Sequence, residues 1–288
     1  MNPRFDYVRP ATVAEATRLL TDPGHTCRVL AGGTDLMVHL HHHAPNFDRI
    51  IDISLLPELK RIDRQGETIN LGSAVTFAEI TESDLLGQAA PFMVEACYQV
   101  GGPQIRNMGT LGGNVVNAAS CADGLPALVC LDAQVHLTGA RGERQLPIAD
   151  FMLKPGHTRI EPDEILTHFS FSAPPPGAKT AFVKLGRRNA QAISRLVITA
   201  IGRVDAAGLI DFARLTPGAA TPRIVRFTAA EDLLLGQRPT AQLLAEAGRQ
   251  VADTMIGITG RRWSTEFKEP AIAALTEQTL RRIFEIGD

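Results

Sequence analysis

A chain of 288 residues, 44% hydrophobic and 21% charged, has the make-up of an ordinary globular protein with room for two or three small cores. Its formal charge of −2 argues against a surface built to hold nucleic-acid phosphates, and no apolar run approaches the ~20 residues of a membrane helix. The opening MNPRFDYVRPATVAEA has no basic stretch followed by an apolar one, so no export leader is expected.

Along the chain, TVAEATRLL reads as a helix, with Thr12 and Glu15 spaced as a capping box. CRVLAGG reads as a buried strand stopped by Gly32 and Gly33, and Arg49 to Leu56 as a second strand. TINLGSAVTFAEI joins a strand to another capping box, Thr76 with Glu79. LLGQAAPFMVEACYQV follows as one helical stretch, ended by Gly101-Gly102-Pro103. A glycine-rich segment then leads to two strands, AQVHLTG and EILTHFSFSA. APPPGAK, with three successive prolines, is the best boundary in the chain. Beyond it lie the strands TAFVKLG and AISRLVITAIGRV. Three helical runs follow, AEDLLLG, TAQLLAEAGRQVADTM and PAIAALTEQTLRRIFEI. The pattern predicts two α/β pieces followed by an α+β piece.

Two clusters carry chemistry. In Gly32-Gly33-Thr34-Asp35 the glycines let backbone approach a bulky anion, and Thr34 adds a hydroxyl. Neither a P-loop lysine nor a GxGxxG pattern is present, so this cluster alone is equally a strand-to-helix turn. In GTLGGNVVNAASCAD, Gly109, Gly112 and Gly113 lie beside Thr110, Asn114, Asn117, Ser120 and Asp123. Two such segments suit one long ligand bearing phosphates and hydroxyls, with Asp123 better placed against sugar hydroxyls than against phosphate. His39, His41, His42 and His43 raise a metal reading, but no acid or cysteine stands nearby at ligand spacing, and a solvent-facing helix end is expected. Cys27, Cys97, Cys121 and Cys130 form no CxxC pair and are expected to be reduced thiols of a cytoplasmic protein.

LAGGTDL followed by GPQIRNMGTLGGNVVNA resembles the FAD-binding subunit of molybdenum hydroxylases, the family of bacterial xanthine and carbon monoxide dehydrogenase medium subunits. The resemblance covers nearly the whole chain and leans toward the xanthine dehydrogenase branch. It implies an α+β protein: an FAD-binding fold of two α/β subdomains (the PCMH type), at 1–57 and 58–175, then a C-terminal α+β domain at 176–288 with a small antiparallel sheet and helices. It places Leu30, Ala31, Gly32, Gly33, Thr34, Asp35 and Leu36 around the FAD pyrophosphate. It likewise implies that Thr110, Gly113, Asn114, Asn117 and Asp123 hold the rest of the cofactor, with Leu166 and Lys184 approaching from later strands. A lysine there suits an anionic reduced flavin; as an unrelated residue it would be a solvated surface lysine.

Two positions depart from relatives. Val100 is the nearest match to an aromatic that stacks on the flavin, and Ala192 stands where many relatives carry an acid before Ile-Ala. The family further implies that a large subunit holds the molybdenum cofactor and a small one holds [2Fe–2S] clusters. It implies NAD as the acceptor, a purine such as xanthine or another N-heterocycle as the substrate, and a dimer of heterotrimers as the assembly. No catalytic side chain, metal ligand, nucleic-acid surface or membrane segment is expected here. A stand-alone flavin oxidase and a non-catalytic assembly protein remain as alternatives.

Overall fold

Residues 5–287 are described by the computed structural model of the chain, which contains three main sheets, each with its own helices; residues 1–4 of the stretch read for a leader lie outside it. The first unit runs β1 (Asp6–Val8), α1 (Val13–Leu20), β2 (Cys27–Leu30), α2 (Leu36–His42) and β3 (Arg49–Asp52). Its strands are parallel in the order β1-β3-β2. Thr12 caps α1 by accepting from the Glu15 N–H at 3.1 Å, but Glu15 reaches back to the Ala11 N–H rather than completing the box on Thr12. β2 is an edge strand and only half-buried; the fully buried strand is the central β3. β3 stops before the expected Leu56, because the Asp52 carboxylate accepts from the Ser54 N–H at 2.9 Å and turns the chain.

After a 3-10 turn at Pro57–Leu59, the second unit contains β4 (Ile62–Gln65), β5 (Thr68–Gly72), α3 (Phe77–Thr81), α4 (Asp84–Ala89), α5 (Pro91–Tyr98), α6 (Pro103–Met108), α7 (Leu111–Asn117), α8 (Gly124–Cys130), β6 (Gln134–Gly139), β7 (Gly142–Pro147), α9 (Ile148–Phe151), β8 (Met152–Lys154), β9 (His157–Thr158) and β10 (Ile165–Ser172). Its main sheet, β4-β5-β10-β6-β7, is antiparallel throughout. Alternate residues Ile69, Leu71, Val135, Leu137, Phe169 and Phe171 bury one face in the core shared with Phe77, Leu86, Phe92, Leu111 and Leu128 of the helices. The helix expected from Leu85 to Val100 is two helices, broken where Pro91 starts the second. The glycine-rich segment is itself largely helical. Pro103 opens α6, and the Thr110 hydroxyl caps α7 by accepting from the Gly113 N–H at 3.1 Å.

On the opposite face of this sheet His136 and His168 stack, with ring centroids 3.9 Å apart and planes 10° from parallel. They line a cleft of about 580 Å³ together with Val13, Ala14 and Thr17 of α1. Burial, and then the neighbouring imidazole, holds His168 down at about 4, and burial holds His136 below its ordinary value. A lowered imidazole favours the fold above its free pKa of 6.5, and that advantage is lost as pH falls toward 4. Stability is therefore expected to drop by about 1–2 kcal/mol over that interval, allowing for solvent screening at this half-buried site. Urea midpoints measured across the same range should show this drop, and His168→Gln should flatten it.

The third unit follows the proline connector: β11 (Lys179–Leu185), β12 (Leu196–Val204), β13 (Ile210–Gly218), α10 (Thr228–Leu234), α11 (Ala241–Thr259) and α12 (Thr265–Phe284). The sheet β11-β12-β13 is antiparallel, and the helices pack on it around Leu196, Leu215, Phe227, Leu244, Val251, Ile272 and Leu280. Its other face gives Phe182, Val197 and Ile201 to the core of the second unit. α12 starts at Thr265, ahead of the expected Pro270, which the helix absorbs near its beginning. All four cysteines are free. Cys97 and Cys130 are buried, and burial pushes both thiols up, Cys130 to about 12. No helix among the described residues is long and apolar enough to cross a membrane.

Candidate flavin site

The two glycine-bearing segments meet. A methyl group built on Gly32 would lie 1.9 Å from the backbone oxygen of Met108, so the first segment packs backbone to backbone on the end of α6. Gly33 has φ +73°, a left-handed conformation that turns the chain from β2 into α2. The second segment is stitched down from the other side: the Phe77 N–H donates to the Gly109 oxygen at 3.0 Å, and the Leu111 N–H to the Val75 oxygen at 3.1 Å. These contacts bring Gly32 alongside Met108 and Gly109, one residue before the Thr110 cap.

An apolar rim of exposed side chains stands on the elements that flank the junction, Met37 and Val38 on α2 and Tyr98, Ile105 and Met108 on α5 and α6. Met37 lies beside Gly33 and Ile105 beside Gly101, while the backbone of Met108 lies against Gly32. Together with Val38 and Tyr98 these side chains are exposed although apolar. The Arg106 guanidinium lies 4.9 Å from the Tyr98 ring centroid and donates to the carbonyls of Val100 and Gly101. Val100 is half-buried against the core, so the aromatic nearest the rim is Tyr98, two residues earlier. Sequence reading passed over Tyr98 because it ends an apolar helix and nothing in the pattern marks it as outward.

The second segment carries polar groups. The amide oxygen of Asn114 is buried with no hydrogen-bond partner in the protein. Thr110 is buried as the cap of α7, Asn117 is exposed at that helix's end, and Gly113 is half-buried between them. Leu166 is different. Its side chain is buried in the core of the second unit, beside a register shift of β10, and so does not face a ligand.

Asp123 and Lys184 are brought together. Lys184 Nζ donates to Asp123 Oδ2 at 2.6 Å and to the Gln99 carbonyl at 3.0 Å, with both side chains under a tenth exposed. Ser194 Oγ donates to the other Asp123 oxygen. Burial raises the Asp123 carboxyl above its ordinary value, against the pull of Lys184 and Ser194. Lys184 is therefore not a solvated surface lysine, and its charge is matched within the protein. The ion pair ties β11 and the segment after it to the start of α8. Sequence reading missed Ser194, a lone serine whose role depends on a contact across 71 positions of chain. On α2 the rings of His39 and His43 lie 4.8 Å apart on the exposed side of the helix. No group of three or more potential metal-binding side chains occurs among the described residues.

The donor set fits a long cofactor with an aromatic head: an apolar rim, an unpaired buried acceptor, and close backbone at the junction. Comparison with known proteins agrees. Residues 3–174 match the FAD binding domain in molybdopterin dehydrogenase, and residues 181–283 match the CO dehydrogenase flavoprotein C-terminal domain. The chain is 34% identical to a putative xanthine dehydrogenase FAD-binding subunit of Escherichia coli (strain K12), covering 95% of this chain and 94% of that one. It is 32% identical to a nicotinate dehydrogenase FAD-subunit of Eubacterium barkeri, covering 93% and 92%. A reconstituted CO dehydrogenase from Oligotropha carboxidovorans superposes with a TM-score of 0.91 at 25% identity over the full length of both chains. On its sequence and its α+β fold, the chain belongs to the FAD-binding domain family of the molybdopterin dehydrogenases, the flavin-binding subunits of oxidoreductase complexes.

Proposed function

We propose that the chain binds FAD at the junction of residues 30–36 with residues 109–123, and passes electrons from a partner's [2Fe–2S] clusters to an acceptor, NAD⁺. The observation that carries this is the backbone contact of Gly32 with the Met108 carbonyl, which closes two segments around an apolar rim. In this reading Leu30 to Leu36 hold the pyrophosphate, and Asn114 and Asn117 hydrogen-bond the polar arm. Asp123, with Lys184 and Ser194, fixes the wall against which the ring system rests, and Leu166 contributes backbone. Tyr98 replaces Val100 as the aromatic at the ring. FAD, when bound, supplies a carrier that exchanges electrons singly or as a hydride.

The unit boundaries proposed are 1–57, 58–175 and 176–288. The complex is proposed to be cytoplasmic, a dimer of heterotrimers with a large molybdenum-cofactor subunit and a small [2Fe–2S] subunit, acting on a purine such as xanthine or another N-heterocycle. The names of the relatives in xanthine and nicotinate oxidation support that substrate class.

The test is reconstitution. The isolated chain should take up one FAD with absorbance near ~450 nm and leave purines unoxidised until its partner subunits are added. A chain that stays colourless with FAD would instead fit an assembly protein, and unaided substrate turnover a stand-alone oxidase. Asn114→Ala should weaken FAD binding about fivefold, the ~1 kcal/mol of one hydrogen bond, read by fluorescence titration.

A further inference from the structure

At the tip of the third unit, Trp263, in the turn between α11 and α12, is 92% exposed, and Ile193, in the segment leading into β12, is 78% exposed. Phe267, near the start of α12, is also exposed, and the Arg195 guanidinium lies 5.7 Å from its ring centroid. Lys268 follows Phe267, and its ammonium donates to the Ala219 carbonyl at 2.7 Å. Burial, and then the nearby charges of Arg195 and Arg262, pushes the Lys268 pKa down. Among the described residues no carboxylate pairs with Arg195, Arg262 or Lys268. The neighbouring Glu269 is taken by Arg261 at 2.8 Å, and Glu266 forms no ion pair with them.

Three cations held together without a counter-charge repel one another, a cost that an incoming anion would remove. A small anion would relieve the charge but leave Trp263, Phe267 and Ile193 in water. A protein face with carboxylates around an apolar pocket answers both, and exposed Trp beside Arg is the composition of an interface anchor. Ser194, between Ile193 and Arg195, bonds Asp123 in the candidate flavin site, so whatever docks here abuts that site. We propose that the surface formed by Ile193, Arg195, Arg262, Trp263, Phe267 and Lys268 docks an acidic-faced partner subunit of the complex inferred above, and the proposal rests on that assembly reading.

The probe is the partner-subunit fraction recovered from the wild-type complex, separated and titrated back onto the purified, FAD-loaded chain. Trp263→Ala should raise the Kd about thirtyfold. Arg262→Glu should slow association about tenfold at low salt and flatten its salt dependence. Both variants should keep wild-type FAD content and melting temperature, since both side chains face solvent. Unchanged partner binding overturns the proposal. So does an effect confined to self-association, which would assign the patch to a second copy. Saturable quenching of the single tryptophan by NAD, with partner binding unaffected, would make it a nucleotide site instead. A wild-type chain that loads FAD but rebinds no partner removes the proposal and the assembly reading together, leaving FAD binding standing. One that loads no FAD removes the flavin reading, and the partner fraction titrated onto the FAD-free chain then tests the patch.

Discussion

Gly32→Val is expected to abolish FAD loading. The new Cβ would lie 1.9 Å from the Met108 oxygen and 2.7 Å from its carbonyl carbon, both backbone atoms at the end of α6. A flexible side chain could swing aside, but a helix end cannot, so the cost exceeds the ~1–3 kcal/mol of ordinary overpacking. The first segment must lift off the second, and the site opens at its junction. Purified variant should show no flavin absorbance after incubation with FAD, with a lowered melting temperature. Gly33→Ala is the informative contrast. Its nearest new contact is the tip of Leu30 at 3.0 Å, so its burden is mainly the left-handed φ, about 1–2 kcal/mol. That variant should load FAD with weakened affinity. Normal FAD content in Gly32→Val would place the cofactor away from this junction.

The second large effect is expected at the buried ion pair. Asp123→Ala leaves the Lys184 ammonium under a tenth exposed and without its counter-ion, which costs about 3–5 kcal/mol. Denaturant unfolding should show that loss in the isolated chain. The double variant Asp123→Leu with Lys184→Met removes both charges and should recover most of the stability, because a buried pair adds little over apolar residues of similar size. FAD affinity then separates two roles. If the pair forms the cofactor wall, the stable double variant still binds FAD weakly. Wild-type affinity in that variant would restrict the pair to holding β11 against α8.

What could be read from the sequence followed what local chemistry determines. Thr76 with Glu79 announced its helix, since a capping box is written in four consecutive residues, and the structure contains it. The paired motifs around Gly32 and Gly113 announced the family for a similar reason: close backbone approach leaves glycines at fixed spacing. β7 was invisible, because it is an exposed edge strand whose residues Gly142 to Pro147 show no apolar alternation. β13 escaped because Asp211, Arg214 and Pro217 interrupt its pattern, although Asp211 pairs with Arg203 and Arg214 donates to the Cys130 carbonyl. The glycines of α7 marked no helix in the sequence, yet the Thr110 cap and buried Leu111 and Val115 were enough to close one. Local propensity lost there to packing. In the candidate site, what stayed hidden was pairing: Lys184 read alone suggested a charge offered to the ligand, whereas its charge is already answered by Asp123, 61 positions away in the chain.

That long-range pairing has a consequence for the order in which the molecule is made. The wall proposed for the ring system is completed only by Lys184 and Ser194, which bond Asp123, and the core of the second unit takes Phe182, Val197 and Ile201. A nascent chain that has emerged only as far as the proline connector would expose that apolar face and hold Asp123 without its cation. On that reading, cofactor capture is expected to wait until β12 has left the ribosome, so flavin loading should follow the folding of the first 175 residues rather than accompany it.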